Sequence, residues 1–328
     1  RKKLPKDLEP PPLPKASWTK HTHDVVELVA AEFSDHPGDP SELWLPTTEP
    51  QADAALRAFL DERFELFGDY EDALSKEHAF LFHSTLSPLL NVGLLTPAQV
   101  LGLALEKAEH DGVRINSLEG FVRQIIGWRE FIRGVYWHEG REYEHRNALD
   151  HHGALPEFYW TGETDMACLG DAVRSVLDRA YGHHIARLML LGNFSLLAGV
   201  EPRQVNDWFL GMYADAVDWV TVPNTIGMAL HADGGVVATK PYAASGRYVQ
   251  RMSNACASCP YDPARRHGDG ACPFTVLYWD FLMRHESRLR RNHRMAMVLK
   301  NLDRLDEEER VAITVSARSV RRSVGVER

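Results

Sequence analysis

Three groups of side chains in this 328-residue sequence have types and spacings that do chemistry. Cys256 and Cys259 form a CxxC pair, Cys272 follows after twelve intervening residues, and Cys168 stands alone upstream. Four thiolates are enough to close a tetrahedral zinc site or to hold an iron–sulfur cluster, and the prolines after Cys259 and Cys272 fit the turns of iron–sulfur ligation loops. Buried thiols without a metal are the plainer alternative. In the segment Tyr181-Gly-His-His-Ile-Ala-Arg-Leu188, helical spacing puts His183 and Arg187 one turn apart on one face. The adjacent His183 and His184 suit proton donation near neutral pH, or a structural pair; Arg187 on an apolar helix needs a buried partner. The turn His83-Ser84-Thr85-Leu86-Ser87-Pro88 offers hydroxyls suited to phosphate oxygens; a helix cap explains it equally well.

The elements that position these groups read as helices. Apolar residues recur at helical spacing at Val25, Val26, Leu28 and Val29, at Ala54, Leu56, Phe59 and Leu60, at Val100, Leu101, Ala104 and Leu105, and at Phe121, Ile125, Ile126 and Phe131. Thr96-Pro97 and Asn116-Ser117 mark helix starts. Strand signals are sparse, and Gly234 to Thr239 reads as a loop. The predicted organisation is a proline-rich linker over 1–20, a helical domain over 21–305 and a charged helix or tail over 306–328. Segment 138–157 and the stretch between Cys259 and Cys272 read as further loops.

Composition narrows the function classes. The chain is 44% hydrophobic and 25% charged, ordinary globular proportions that exclude wholesale disorder. No apolar run is long enough for a membrane span and no signal peptide is visible, so a soluble, cytoplasmic protein without a membrane partner is expected. The net charge is −9, but residues 281–328 carry 12 Lys and Arg against 7 Asp and Glu, a net of +5. A basic C-terminal face on an acidic body allows local phosphate contacts through Arg265, Arg266, Arg284, Arg288, Arg290, Arg291 and Arg294.

Several motifs together resemble the cryptochrome/photolyase flavoproteins, and specifically the iron–sulfur bacterial branch that includes prokaryotic (6-4) photolyases. The residues that carry the resemblance are Phe121-Val-Arg-Gln-Ile-Ile-Gly-Trp128-Arg129-Glu130-Phe131-Ile-Arg-Gly134, Tyr159-Trp160-Thr161-Gly162, the His183-His184-Ile-Ala-Arg187-Leu188 helix, Asp215-Ala-Val217-Asp218-Trp219-Val220 with Pro223-Asn224-Thr225, and Lys240-Pro-Tyr242-Ala-Ala-Ser-Gly246 running into Arg251-Met252-Ser253. The resemblance covers essentially residues 20–305. The resemblance implies an all-α, photolyase-type domain holding flavin adenine dinucleotide (FAD). It implies cofactor contacts from Tyr70, His83, Ser84, Thr85, Leu86, Ser87, Arg129, Arg187, Asp215, Val217 and Thr221, and a [4Fe-4S] cluster on Cys168, Cys256, Cys259 and Cys272.

The implied activity is light-dependent repair of (6-4) photoproducts in UV-damaged DNA by a monomer. His184 is the implied proton donor, with His183 beside it and Tyr242 in the lesion pocket, and Trp208 and Trp160 are the implied electron-transfer residues. Leu188, Phe209 and Thr221 depart from the family pattern, where a second histidine, a tyrosine and a glutamate are expected. The family's N-terminal α/β antenna domain is expected outside this sequence, joined through the proline-rich opening. A cryptochrome-like photoreceptor without repair activity and a zinc-binding DNA-associated module are the competing readings.

Overall fold

The computed structural model describes residues 2–327. Among the described residues there is no β-strand, only the isolated bridges Gly153 to Val200 and Asp262 to Ala271, so the all-α expectation holds. In chain order the α-helices are α1 Lys20–Glu32, α2 Glu49–Glu62, α3 Phe64–Tyr70, α4 Ser87–Asn91, α5 Pro97–Asp111, α6 Ile115–Val122, α7 Arg129–Glu139, α8 Phe158–Thr161 and α9 Ala167–Arg179. They continue as α10 Asn193–Ala198, α11 Pro202–Met212, α12 Asp218–Val222, α13 Gly246–Met252, α14 Pro273–Arg284, α15 Glu286–Leu289, α16 Ala296–Leu302 and α17 Glu307–Ser323. No helix is long and apolar enough to cross a membrane.

Local chemistry sets several of these ends. Thr96 caps α5 by accepting from the Gln99 amide, Pro97 fills the position whose amide has no partner, and Gly112 ends the helix at φ 69°. The second expected start is displaced. Helix α6 begins at Ile115 after Arg114, because the Ser117 hydroxyl is spent elsewhere: it donates to the Glu65 carbonyl at 2.8 Å and accepts from the Gly68 amide at 3.0 Å, locking α6 to α3. This crossing requires Gly68, since a Cβ there would sit 2.5 Å from the Asn116 carbonyl oxygen. Gly68→Ala is expected to lower the unfolding free energy by about 3 kcal/mol, read as a drop in denaturation midpoint; an unchanged midpoint would show that the crossing yields freely.

The core includes a large cluster drawn mainly from residues of α7 to α17 and a smaller one on α2 to α6 around Leu56, Phe59, Phe64 and Phe121. Helical spacing is correct for the segments singled out, but Val25, Leu28, Leu105, Ile126 and Phe131 lie exposed. The proline-rich opening packs: Leu4 and Leu8 lie against a third cluster containing Tyr70 and Phe82, and the Lys2 amide donates to the Asp69 carbonyl. At the other end Ile313, Ala317 and Val326 join the main core, and Arg321 of α17 is paired inside it with Asp280 of α14.

Three π-helical turns, Arg123–Trp128, Ala186–Gly192 and Pro223–Ala229, interrupt the helices that carry the candidate site residues. Such turns concentrate at functional sites. The second and third pack directly on each other, for a Cβ on Gly192 would lie 2.8 Å from the Ala229 methyl.

Candidate functional site

The second π turn carries Arg187, whose Nη1 lies 2.9 Å from Asp215 Oδ1 and whose Nη2 donates to Oδ2 at 3.1 Å. Asp215 is 7% exposed and also accepts from the Ser87 hydroxyl at 2.6 Å. Burial opposes the charge on the carboxyl, but Arg187 and Ser87 hold its pKa below the usual carboxylate range. Burial likewise works against the Arg187 cation, and Asp215 more than compensates. The pair joins segments distant in sequence: Asn91 of α4 donates to the Asp215 carbonyl and accepts from Arg129 Nη1, and Arg129 in turn lies over the Trp219 ring at 4.7 Å. Val217 caps α12 in extended conformation and takes the Thr221 amide on its carbonyl; Thr221 is buried.

The hydroxyl turn supplies the next wall. Ser87 opens α4, Leu86 is buried, and Thr85 sits at φ 59° with its hydroxyl on the Ser84 carbonyl. His83 stacks on His183 at 4.5 Å and 13°. His83 Nε2, His183 Nδ1 and the Tyr213 hydroxyl are buried without a hydrogen-bond partner, and Asp215 Oδ1 has no aligned donor. Burial, aided by the charges of His184 and Arg63, pushes the His83 pKa down to about 3, and burial beside His83 pushes His183 well below its ordinary value. Burial thus favours the uncharged form of the His183 ring. His184 is exposed, as is Tyr242 at 40%. Tyr70 is packed against Phe82 in the cluster behind the turn.

Aromatic rings lead away from the ion pair. Tyr213 lies beneath Arg187 at 4.0 Å, Trp208 meets Tyr213 at 5.8 Å and Tyr159 at 5.1 Å, and the Trp208 indole donates to the Tyr159 carbonyl. Trp208 is 1% exposed, whereas Trp160, next to Tyr159 in sequence, is 48% exposed. Phe209 stacks on Tyr213 at 5.2 Å. Tyr213, just past the end of α11, carries no distinguishing signal in the sequence, and Tyr159 enters there only as part of the motif beside Trp160.

The cysteines meet from three directions. Cys168 lies on α9, Cys256 and Cys259 on the 3-10 turn Ala255–Ser258 and just after it, and Cys272 immediately before α14. All four line one small pocket with Met166, Val249, Tyr261 and Phe274. Burial and the neighbouring sulfurs raise the Cys168 pKa strongly, and burial lifts that of Cys272 to about 11. Gly246 makes room, since a Cβ there would stand 2.7 Å from Cys272 Sγ. Among the described residues no group of three or more His, Cys, Asp or Glu side chains is arranged to hold a single metal ion. The cysteine loop is tied to the chain ahead of the hydroxyl turn: the Leu74 amide donates to the Met252 carbonyl, the Lys76 amide to Asn254 Oδ1, and Asn254 Nδ2 to Glu77.

Several arginines expected to meet phosphates are already paired with carboxylates of the chain, Arg290 and Arg266 at the surface. Arg284 is paired with buried Asp280 and donates to the Leu197 carbonyl, Arg290 is paired with Glu286 and Asp303, and Arg266 with Glu309. The basic face is correspondingly less positive than the arginine count implies.

Comparison with known proteins bears on the whole arrangement. A family model described as deoxyribodipyrimidine photo-lyase-related protein matches residues 1–44. A (6-4) photolyase of Agrobacterium fabrum is 46% identical over 305 residues, 93% of this chain and 60% of that protein. The chain belongs to the photolyase/cryptochrome family. It spans about three fifths of the length of that photolyase relative. An uncharacterized protein of Acanthamoeba polyphaga mimivirus is 33% identical over 107 residues, 32% of this chain and 81% of that protein. Among solved structures, a bacterial class III photolyase from Agrobacterium tumefaciens aligns with TM-score 0.52 over 90% of this chain and 58% of that one at 17% identity, which shows a shared fold. Within this family the Arg187–Asp215 pair, the hydroxyl turn and the His83–His183 stack converge from three stretches of chain.

Proposed function

We propose that this chain binds FAD and carries out light-dependent repair of (6-4) photoproducts in UV-damaged DNA; its Agrobacterium fabrum relative is named a (6-4) photolyase. The observation that carries the reading is a buried, charged and partly unpartnered lining: the Arg187–Asp215 pair flanked by His83 Nε2, His183 Nδ1 and the Tyr213 hydroxyl, none of which has a partner within the protein. Buried polar groups are rarely left unpaired, and a flavin ring with a ribityl diphosphate presents donors and acceptors of the matching kinds. Tyr70, Ser84, Thr85, Leu86, Ser87, Arg129, Arg187, Asp215, Val217 and Thr221 are the residues that would hold it.

A flavin held there in its reduced form would supply photoinduced electron transfer. The chain's own contributions are electrostatic and protonic. Arg187 keeps a fixed positive charge against the cofactor and Asp215 fixes its direction. In this reading His184, exposed while its neighbour is buried, gives a proton from a ring nitrogen to a flipped base, and Tyr242, likewise exposed, completes the lesion pocket that the resemblance implies. Trp208, with Trp160 at the surface, supports re-reduction of the cofactor through the aromatic rings.

In the same reading the four thiols, soft donors from three segments that share one apolar pocket, would be the ligands of a [4Fe-4S] cluster. Ligation there would displace the thiol protons and join α9 to the Cys256–Cys272 loop.

The test is blue illumination of the purified protein with a reductant and an oligonucleotide containing a (6-4) photoproduct, alongside a visible spectrum for flavin and iron. Restored bases are expected. Flavin photoreduction without repair would instead point to a photoreceptor, and a colourless protein would overturn the flavin reading. His184→Ala is expected to keep its flavin and lose repair by about 100-fold or more; retention of repair would remove His184 from the mechanism.

A further inference from the structure

Asn254 stands directly ahead of the 3-10 turn that carries Cys256, at the position where an asparagine side chain ordinarily caps the turn that follows it. Here it caps nothing. Its Oδ1 accepts from the Lys76 amide at 3.2 Å, across 178 residues of chain, and its Nδ2 donates to Glu77 at 2.5 Å. Two residues earlier the Met252 carbonyl takes the Leu74 amide at 3.0 Å. Main-chain and side-chain bonds together fix residues 74–77 to the loop that leads into the CxxC pair.

Residues 74–77 belong to a strap, 71–86, that joins α3 to α4 without a helix of its own. Leu81 at φ 47° and Thr85 at φ 59° are held in the left-handed region, which is unfavourable for any residue with a side chain, most of all for β-branched Thr85, and persists only where the surroundings impose it. Contacts along the strap impose it here. Leu4 and Leu8 pack against the cluster of Ala73, Leu81 and Phe82, Phe80 packs on Trp44 at 4.9 Å and on Tyr181 at 5.0 Å, and just past the far end Ser87 reaches Asp215. At the near end the fixed point is the Asn254 clasp, anchored on a loop whose Cys256 and Cys259 are only half-buried. Such a loop takes its position from what its thiolates bind, because ligation of thiols is itself folding free energy. The strap therefore links the cysteine pocket and the hydroxyl turn in series. We propose that Asn254 is a positioning residue that couples the two sites: ligation of the four thiols sets the strap, and the strap sets the hydroxyl turn and its affinity for FAD. The proposal rests on the flavin and cluster readings and deepens them.

The experiment titrates FAD by flavin fluorescence into wild type and Asn254→Ala, each with its iron and after anaerobic removal of iron by a chelator, and follows amide hydrogen exchange over residues 80–87 with α5 as the internal control. Wild type is expected to bind FAD about tenfold more weakly once iron is removed. Iron-loaded Asn254→Ala is expected to show the same loss, about tenfold, at wild-type iron content, and less than about twofold further loss when its iron is taken away. Exchange over 80–87 should rise in the variant and in stripped wild type alike while α5 keeps its protection; a general structural defect would loosen both and overturn the proposal. FAD affinity in the iron-loaded variant within about threefold of wild type would also overturn it, as would an equal response to iron removal in the two proteins. If stripping unfolds the protein, the iron-loaded affinities and exchange decide. If the alanine variant does not fold, Asn254→Asp, which keeps an acceptor for the Lys76 amide and loses the donor to Glu77, reads the same quantities, and wild-type values there overturn the proposal equally. Wild type that takes up FAD but no iron overturns the cluster reading and this assignment together, and wild type that takes up no FAD overturns the flavin reading with it; unaltered FAD binding in the variants overturns this assignment alone.

Discussion

Asp215→Ala is expected to strip the protein of flavin and to lower its unfolding free energy by about 3–5 kcal/mol. The magnitude follows from what is left behind. Arg187 would remain buried against Tyr213 without its carboxylate, the Ser87 hydroxyl would lose its acceptor at 2.6 Å, and α4 would lose one of its two ties to the Asp215 segment. Asp215→Asn keeps the shape and an acceptor for Ser87 but not the charge, so it should recover part of the stability and little of the flavin. Combining Asp215→Ala with Arg187→Met should restore stability further, because a buried pair replaced by apolar groups is far less costly than half a pair, while leaving the protein without flavin. The flavin-to-protein absorbance ratio and denaturant unfolding read the two effects separately. A single Asp215→Ala variant that unfolds like wild type would show that the pair contributes nothing to the fold.

The second large effect is acid lability. His151 is 4% exposed, its Nε2 lies 3.0 Å from His285 Nε2, and burial together with Arg284 pushes its pKa down to about 3. The same causes lower His285 to about 4. A histidine depressed in the folded state takes up a proton more readily when unfolded, so stability is fully present above the unfolded value of about 6.5 and is lost progressively as pH falls toward the folded pKa. His151 alone accounts for roughly 2 kcal/mol between neutral pH and pH 5, and His83, His183 and His231 act in the same direction. Asp215 does not contribute in this window, because its carboxyl is held below the ordinary range and stays ionised. Denaturant midpoints should therefore fall steeply from pH 7.5 to pH 5, and less steeply in His151→Leu. A flat profile would mean that water reaches these imidazoles.

Much of this arrangement was legible in the sequence because it depends on pattern. The helical spacing, the Thr96-Pro97 cap and the CxxC pair are local signals; the four cysteines line one pocket, and Arg187 finds in Asp215 the buried partner that an arginine on an apolar helix needs. What was not legible depends on phase and on distant partners. Helical spacing placed Val25, Leu28 and Phe131 on faces that the fold leaves exposed. Ser117 reads as a cap but is drawn away by Glu65 and Gly68, contacts that bridge about fifty residues of chain. Arg63 reads as one charge among several at the end of an amphipathic helix, and only its burial distinguishes it. Arg284 and Arg290 count as surface charge in a composition sum, yet their partners Asp280 and Asp303 consume them.

The three π turns carry a consequence for how this protein tolerates change. Each holds one residue more per turn than the α-helix around it, and an α-helix advances about 100° per residue. Removing a single residue from Ala186–Gly192 would let an ordinary helix form with its hydrogen bonds intact, but would rotate everything beyond it by that angle relative to Arg187. Asn193, which now clasps the Ala244 backbone through both its amide and its carbonyl, would swing off its partner while the chain remained helical. Length changes here act as rotations, so sequences that align well in composition across these turns will differ in where their side chains aim unless the extra residue is preserved.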